Sequence, residues 1–242
     1  INSALIAPLF WGGNASVDEE RPTLKLLVYN ANYGNTNFGQ VAAYLAKAGP
    51  DVIILIEATP SMRARLEEAL PSYQSMGQTR TDAFGMLVFS RARVTGQDTL
   101  SLSDYALPAE FLEIEKGGER FSLLGLHTMP PVGSNNAVLR DAMLAEAGVW
   151  ARQHKNAIVA GDFNATPWSF AFRDMLKTGK LHDSERGFGL QTTWPKQFWP
   201  LSIPIDHCVH STALRTVRRT VGPFMGSDHR PLHLTLGFAP SD

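Results

Sequence analysis

The sequence predicts an α/β domain in which two β-sheets pack face to face with helices outside. Short runs rich in Val, Ile and Leu recur from residue 24 almost to the end of the chain, and runs of this length read as buried strands. Strands outnumber helices, and several are apolar on both faces, as strands covered on both sides must be. A chain of 242 residues is long enough to enclose one sizeable core.

Taken in order, residues 24–30 form the first strand, ending on Asn30. A helix follows over 38–48, with Phe38, Val41, Ala42 and Leu45 on one face and Gly49-Pro50 as its stop. The strand 51–57 ends on Glu57, and Ser61 is the expected N-cap of a helix over 62–70, ended by Pro71. Residues 84–90 and 112–115 read as strands, the second turning at Gly117-Gly118 into 121–127, which ends on His127. The longest helix is expected over 136–154, with Val138, Ala142, Ala145 and Val149 sharing a face. A strand over 157–162 ends on Asp162, a helix over 168–176 follows, and 180–203 is loop-like. The polar residues of Ile205-Asp206-His207 and Ser227-Asp228-His229-Arg230 precede apolar stretches, so they sit near strand beginnings. In a mixed sheet the start of an antiparallel strand shares an edge with its neighbour's end. All these endings can therefore face one pocket.

Residues 24–238 form the expected catalytic domain, and 1–23 an arm and linker. The apolar start, through Phe10-Trp11, reads equally as the stub of a removed membrane segment or as a packing arm. That start favours a membrane-tethered catalytic part outside the cytoplasm, and the expected state is a monomer. No run approaches the roughly 20 apolar residues of a membrane span, and the lone Cys208 excludes an internal disulfide framework. The net charge of −1 lacks the basic excess of a dedicated duplex binder. A nuclease using a local patch is still allowed.

Glu57, Asp162 and Asp228 are hard oxygen donors, and Asn30 and Asn164 supply neutral ones, a set suited to Mg²⁺ or Mn²⁺. Asp206 and His229 are natural partners, since a carboxylate fixes an imidazole's tautomer and raises its pKa. His127 is a second candidate of this kind, with Asp82 as its nearest available partner. Such a set fits hydrolysis of phosphate esters. Alone, Asn30 and Asn164 read as turn formers; their place in the ordered set turns the reading to function. Arg230 is the best candidate phosphate contact, Arg140 a distant second, and Arg215, Arg218 and Arg219 read as a solvated strand face. Trp168, Trp194, Phe198 and Trp199 suit stacking on a base, dipping into lipid, or packing on the domain.

Asn30, Glu57, His127, the run Gly161-Asp162-Phe163-Asn164-Ala165-Thr166-Pro167, Asp206 and Ser227-Asp228-His229 together resemble the endonuclease/exonuclease/phosphatase (DNase-I-like) superfamily. The resemblance implies a four-layer α/β/β/α sandwich with a Mg²⁺-dependent site at one end of the sheets. It makes Glu57 the principal metal ligand with Asn30 and Asp228, and Asp162 the group that activates water, with Asn164 beside it. His229, held by Asp206, contacts the scissile phosphate, and His127 is the second histidine of the deoxyribonuclease branch. Asn32 stands where many relatives carry Asp. The expected activity is a phosphodiesterase or nuclease on DNA or RNA. The alternatives are a phosphatase or phospholipase-C-like enzyme on lipid or inositol phosphates at a membrane, and a scaffold that has lost activity.

Overall fold

The computed structural model describes residues 6–11, 16–102, 107–196 and 199–240. β1 (Leu24–Asn30) leads into α1 (Phe38–Ala48), β2 (Val52–Ile56), α2 (Pro60–Ala69), β3 (Gln74–Gln78) and β4 (Met86–Ser90). The middle of the chain forms β5 (Arg93–Leu102), β6 (Leu107–Lys116), β7 (Glu119–His127), α3 (Ser134–Gln153) and β8 (Ala157–Asp162). The last part comprises α4 (Phe170–Gly179), β9 (Leu181–Asp183), β10 (Asp206–Ser211), β11 (Leu214–Val221) and β12 (Leu232–Phe238).

Two six-stranded mixed sheets result, ordered β11-β12-β1-β2-β4-β3 and β5-β6-β7-β8-β10-β9. Alternation along each strand divides the apolar residues into three layers. Leu26, Val28, Ile54, Leu123, Ile158, Cys208 and Leu234 fill the space between the sheets. Leu27, Ile53 and Leu55 face Val41, Leu45, Met62 and Leu66 of α1 and α2, while Leu124 and Val159 face Met143, Leu144, Phe172 and Met175 of α3 and α4. This is the four-layer α/β/β/α sandwich. Its inter-sheet layer also positions the site. The inward series Leu26, Val28 continues to Asn30, Ile158 and Ala160 continue to Asp162, and Cys208 leads back to Asp206. Each polar residue thus occupies the next inward position after the core ends.

Helix α1 has the expected limits, and Gly49 closes it in the left-handed conformation at φ 52°. The N-cap of α2 is Thr59 rather than Ser61: its hydroxyl accepts from Met62 N at 3.3 Å, and Pro60 takes the first helical turn. In α3 the expected face is the wrong one. Val138 and Val149 are 67% and 48% exposed, while Met143, Leu144, Ala147 and Ala151 are buried. The larger side chains of that neighbouring stripe give more apolar area to the sheet. Edge strand β5 has mostly polar residues and is held by pairing with β6, so its sequence carries little signal.

Arg219 departs from the solvated-face reading. A β-bulge between Thr216 and Arg218 inserts one residue, so Arg219 pairs with inward-facing Leu234 and lies 2% exposed. Its Nη2 is 3.7 Å from Glu185 Oε2. Burial, ahead of the opposing pull of Arg219, raises the Glu185 carboxyl to about 7.

Of the N-terminal arm, residues 1–5 and 12–15 lie outside the described residues, as do 197–198 with Phe198. Ala7–Leu9 form a 3₁₀ turn whose Leu9 is buried and accepts from Gly189 N at 2.8 Å, so this turn packs on the domain while Phe10 and Trp11 stay exposed. The expected linker is pinned too. Asp18 N donates to Phe238 O at 2.9 Å, and Arg21 pairs with Glu119 at 2.8 Å.

Candidate active site

His127, Asp162 and Asp206 lie on one rung of the second sheet: β7 pairs His127 with Asp162, and β10 pairs Asp206 with the same residue. Paired residues project to one face, here towards the first sheet. Gly161 makes this packing possible, because a Cβ there would stand 1.7 Å from the Leu126 carbonyl oxygen. From the first sheet, Asn30 Nδ2 donates to Asp162 Oδ2 at 3.0 Å and to Glu57 Oε1 at 3.0 Å. One amide therefore joins two carboxylates from opposite sheets.

His229 completes the centre. Its Nδ1 donates to Asp206 Oδ2 at 2.9 Å, and its Nε2 lies 3.7 Å from Asp162 Oδ2. His127 Nε2 stands 3.9 Å from that same oxygen, so Asp162 rather than Asp82 is its partner. Asp82 is spent on Arg80 at 2.6 Å. Asn164 holds Asp162 by a backbone N–H to Oδ1 at 2.9 Å, and its side-chain amide donates to Thr128 O at 2.9 Å.

The electrostatics follow from burial. Desolvation, then repulsion from Asp206, raises the Asp162 carboxyl, which makes it a stronger base. Desolvation alone would lower His229, but the carboxylates of Asp206 and Asp162 and the bond to Asp206 raise it to about 10. Asp228 moves the other way. Burial pushes it up, yet hydrogen bonds from Asn32 and Trp194 and the nearby His229 hold it below the usual carboxylate range.

Asp228 reaches the centre through Asn32. Asn32 Nδ2 donates to Asp228 Oδ1 at 3.1 Å, and Asn32 N donates to Asn30 Oδ1 at 3.1 Å. Three rim residues, Asn32, Glu57 and Asn164, have positive φ of 62°, 58° and 45°. For Glu57 this backbone is uncommon, and such conformations gather at functional sites. Arg230 turns aside: its Nε donates to Gly222 O at 2.8 Å and its guanidinium lies over Phe224. Arg140 is near the rim, donating to Asn164 O at 3.3 Å.

The residues present fit a divalent cation. Glu57 is partly open to solvent, and the available donors are carboxylates and amides. His127 Nδ1 and Asp206 Oδ1 are buried without a hydrogen-bond partner in the protein, the mark of a site completed by something beyond the chain. Asp162, Asp206 and His229 also offer ligand atoms within 4.8 Å of one another. Their mutual hydrogen bonding and burial suit proton handling better, and Glu57 is the more accessible anchor. Asn30 presents its nitrogen to both carboxylates, so its amide must turn over to offer oxygen.

Sequence reasoning did not find Ser227 or the bond made by Trp194. Ser227 Oγ donates to Asn30 O at 2.8 Å and accepts from His229 N at 2.9 Å, tying the loop before β12 to the end of β1 within the first sheet. Its place within Ser227-Asp228-His229 was the available signal. Trp194 Nε1 donates to Asp228 Oδ2 at 2.8 Å.

A four-layer sandwich with this carboxylate–imidazole centre at the end of its inter-sheet core defines a DNase-I-like α/β protein. The chain belongs to the Endonuclease/Exonuclease/phosphatase family, whose profile matches residues 27–229, and members of that family are metal-dependent phosphoester hydrolases. Among solved structures, D. rerio TDP2 complexed with single-strand DNA product gives a TM-score of 0.74 at 16% identity, covering 89% of this chain and 99% of that one. Sphingomyelinase C from Streptomyces griseocarneus gives 0.65 at 19% identity, covering 90% and 99%. A mannosyl-6-phosphatase from Bacteroides thetaiotaomicron gives 0.69 at 21% identity, covering 89% and 100%. A search among curated protein sequences finds no match. At these identities the structural likeness concerns the fold.

Proposed function

We propose that this protein is a Mg²⁺- or Mn²⁺-dependent phosphodiesterase of the DNase-I-like type, with nucleic acid as its substrate. The observation that carries the reading is the pair of imidazoles at one carboxylate: His127 and His229 both place Nε2 within 4 Å of Asp162 Oδ2. A diester has two substituted oxygens and two free ones, so two imidazoles can serve a free phosphoryl oxygen and the leaving oxygen together. Asp162, with its raised pKa, takes the proton of the attacking water. His229, cationic because of Asp206, offsets charge on the phosphoryl group. Asn164 fixes Asp162, and Glu57, Asn30 and Asp228 are the residues that would hold the cation. When bound, the cation supplies charge stabilisation at the phosphoryl and leaving oxygens.

Arg230 remains a candidate phosphate contact only if it leaves Gly222. The test is plasmid nicking and hydrolysis of a small aryl diester, each with Mg²⁺ or Mn²⁺. Turnover of aryl monoesters with none of diesters would overturn the reading.

A phospholipase-C-like activity at a lipid surface is the second reading, favoured by one observation. Phe10 and Trp11 are 54% and 72% exposed, and Phe10 packs beside Gly189 near Leu190, itself 44% exposed. That segment runs on to Trp194 at the site. Among the described residues no helix is long and apolar enough to cross a membrane. Release of headgroup from sphingomyelin or phosphoinositide vesicles, with intact plasmid, would favour this second reading.

A further inference from the structure

The outer face of the first sheet carries a groove of about 460 Å³ between α1 and strands β12 and β11. Its location follows from strand register. Lys25 of β1 pairs with Thr235 of β12, and Thr235 pairs in turn with Arg218 of β11, placing all three on one rung. The bulge that turns Arg219 inward is what leaves Arg218 outward. Two cations therefore flank a hydroxyl, roughly 10 Å apart at the usual spacing of neighbouring strands. The next rung holds His233 and Thr220, and α1 contributes Lys47 and Tyr44 as the side wall.

No lining residue of this groove is acidic. Among the described residues Lys25, Lys47 and Arg218 enter no ion pair, whereas Arg21, Arg63, Arg65, Arg80 and Arg93 each have a carboxylate within 4 Å. Asp51, which follows the lining residue Pro50, accepts from Lys25 N at 2.8 Å but is already engaged by Lys116 at 2.5 Å and Arg91 at 3.5 Å. Tyr44 Oη and His233 Nε2 are 2.6 Å apart, which fixes the wall. Burial, then the positive charge of Arg218, lowers His233, so the groove's charge rests on the lysines and the arginine.

We propose that this groove is a second binding site, separate from the active centre, for a small phosphate-bearing anion. Cations gathered on one sheet face with no carboxylate among them favour an oxyanion, which also accepts from the Thr235 and Thr220 hydroxyls. The volume suits a molecule larger than phosphate alone. The groove is not an extension of the catalytic cleft. Leu26 lines it, and Asn30 lies four residues further along β1, roughly 13 Å away at about 3.3 Å per residue.

The test is calorimetric titration of the intact protein with inorganic pyrophosphate in excess EDTA, alongside amide chemical-shift mapping. Saturable binding should perturb the amides of Leu26, Thr220 and Thr235 and weaken as salt rises. Arg218→Glu and Lys47→Glu should each weaken binding about tenfold or more while hydrolysis of a small diester stays unchanged. The two changes lie on different elements, so a folding defect in one leaves the other to decide. Unaltered affinity in the folded variants, shifts centred on Asp162 and His229, or no binding to wild type would each overturn the proposal. Titration with phosphatidate vesicles separates the sources: binding there but not to pyrophosphate would show a membrane surface and overturn the small-anion site.

Discussion

His127 and His229 converge on a single oxygen, Asp162 Oδ2, at 3.9 and 3.7 Å. They arrive from unlike places. His127 ends β7 on the same rung as Asp162, while His229 comes from the loop before β12 and is steered by Asp206. The carboxylate is desolvated between them, so its raised pKa is a standing cost to the fold and an asset to a base.

Replacing Asp162 by Asn should therefore separate activity from stability. The amide keeps the shape and removes the buried charge. Hydrolysis should fall by about 10²–10⁴ while the thermal midpoint holds or rises. His127→Ala and His229→Ala should each lower kcat/KM by a similar factor, and the double variant by less than their product, since both act at one oxygen. Full activity in Asp162→Asn would remove the carboxylate from the mechanism.

Glu57 should control the cation rather than the chemistry. It projects from a left-handed backbone at the rim, with Oε1 bonded to Asn30 and Oε2 to Tyr33 N at 3.1 Å. Glu57→Gln should raise the Mg²⁺ needed for half-maximal rate by about tenfold or more, as loss of a charged ligand does. Direct Mn²⁺ binding followed by electron paramagnetic resonance gives a readout free of turnover. An unchanged titration would take Glu57 off the ligand set.

Trp194 ties the long loop before β10 to the site. Its Nε1 bond at 2.8 Å and the Asn32 amide occupy one oxygen each of Asp228. A cation reaching Asp228 must share or displace these donors, so Trp194 should report its arrival. The difference in fluorescence between wild type and Trp194→Phe isolates this indole among the five tryptophans. That difference should change on adding Mg²⁺, and kcat/KM of Trp194→Phe should drop about tenfold, the worth of one hydrogen bond to a charged group. A metal response of equal size in Trp194→Phe would disconnect the indole from the cation.

Much of this arrangement was legible because the inter-sheet core and the site share one period. Leu26, Val28 and Asn30, or Ile158, Ala160 and Asp162, are single alternating series whose last member is polar. What escaped depended on contacts between distant segments. The bulge that inverts Arg218 and Arg219 leaves no local mark, because both flanking residues suit a strand. The Trp194 bond joins residues 34 apart through a loop without periodicity. On α3 the stripe Val138, Ala142, Ala145, Val149 and the stripe Met143, Leu144, Ala147, Ala151 both repeat at helical spacing, so periodicity alone does not choose between them, and the larger Met143 and Leu144 take the sheet-facing side.

His210 gives a pH prediction of definite sign. It is buried in β10, with Nδ1 at 3.0 Å from Ser211 O and Nε2 at 2.9 Å from Thr216 Oγ1. The carbonyl can only accept, so Nδ1 carries the proton and Nε2 accepts from the threonine, which satisfies the neutral ring completely. Burial chiefly lowers its pKa from 6.5 to about 4. Between those values the unfolded chain binds the proton and the folded one does not. The contribution to stability is therefore present above about 6.5 and lost as pH falls towards 4. Its size is on the order of 3 kcal/mol. Urea unfolding of wild type and His210→Gln at a series of pH values should show their stability difference shrinking across this window. A difference constant with pH would mean that the imidazole titrates alike in both states, and that burial of this ring carries no proton linkage.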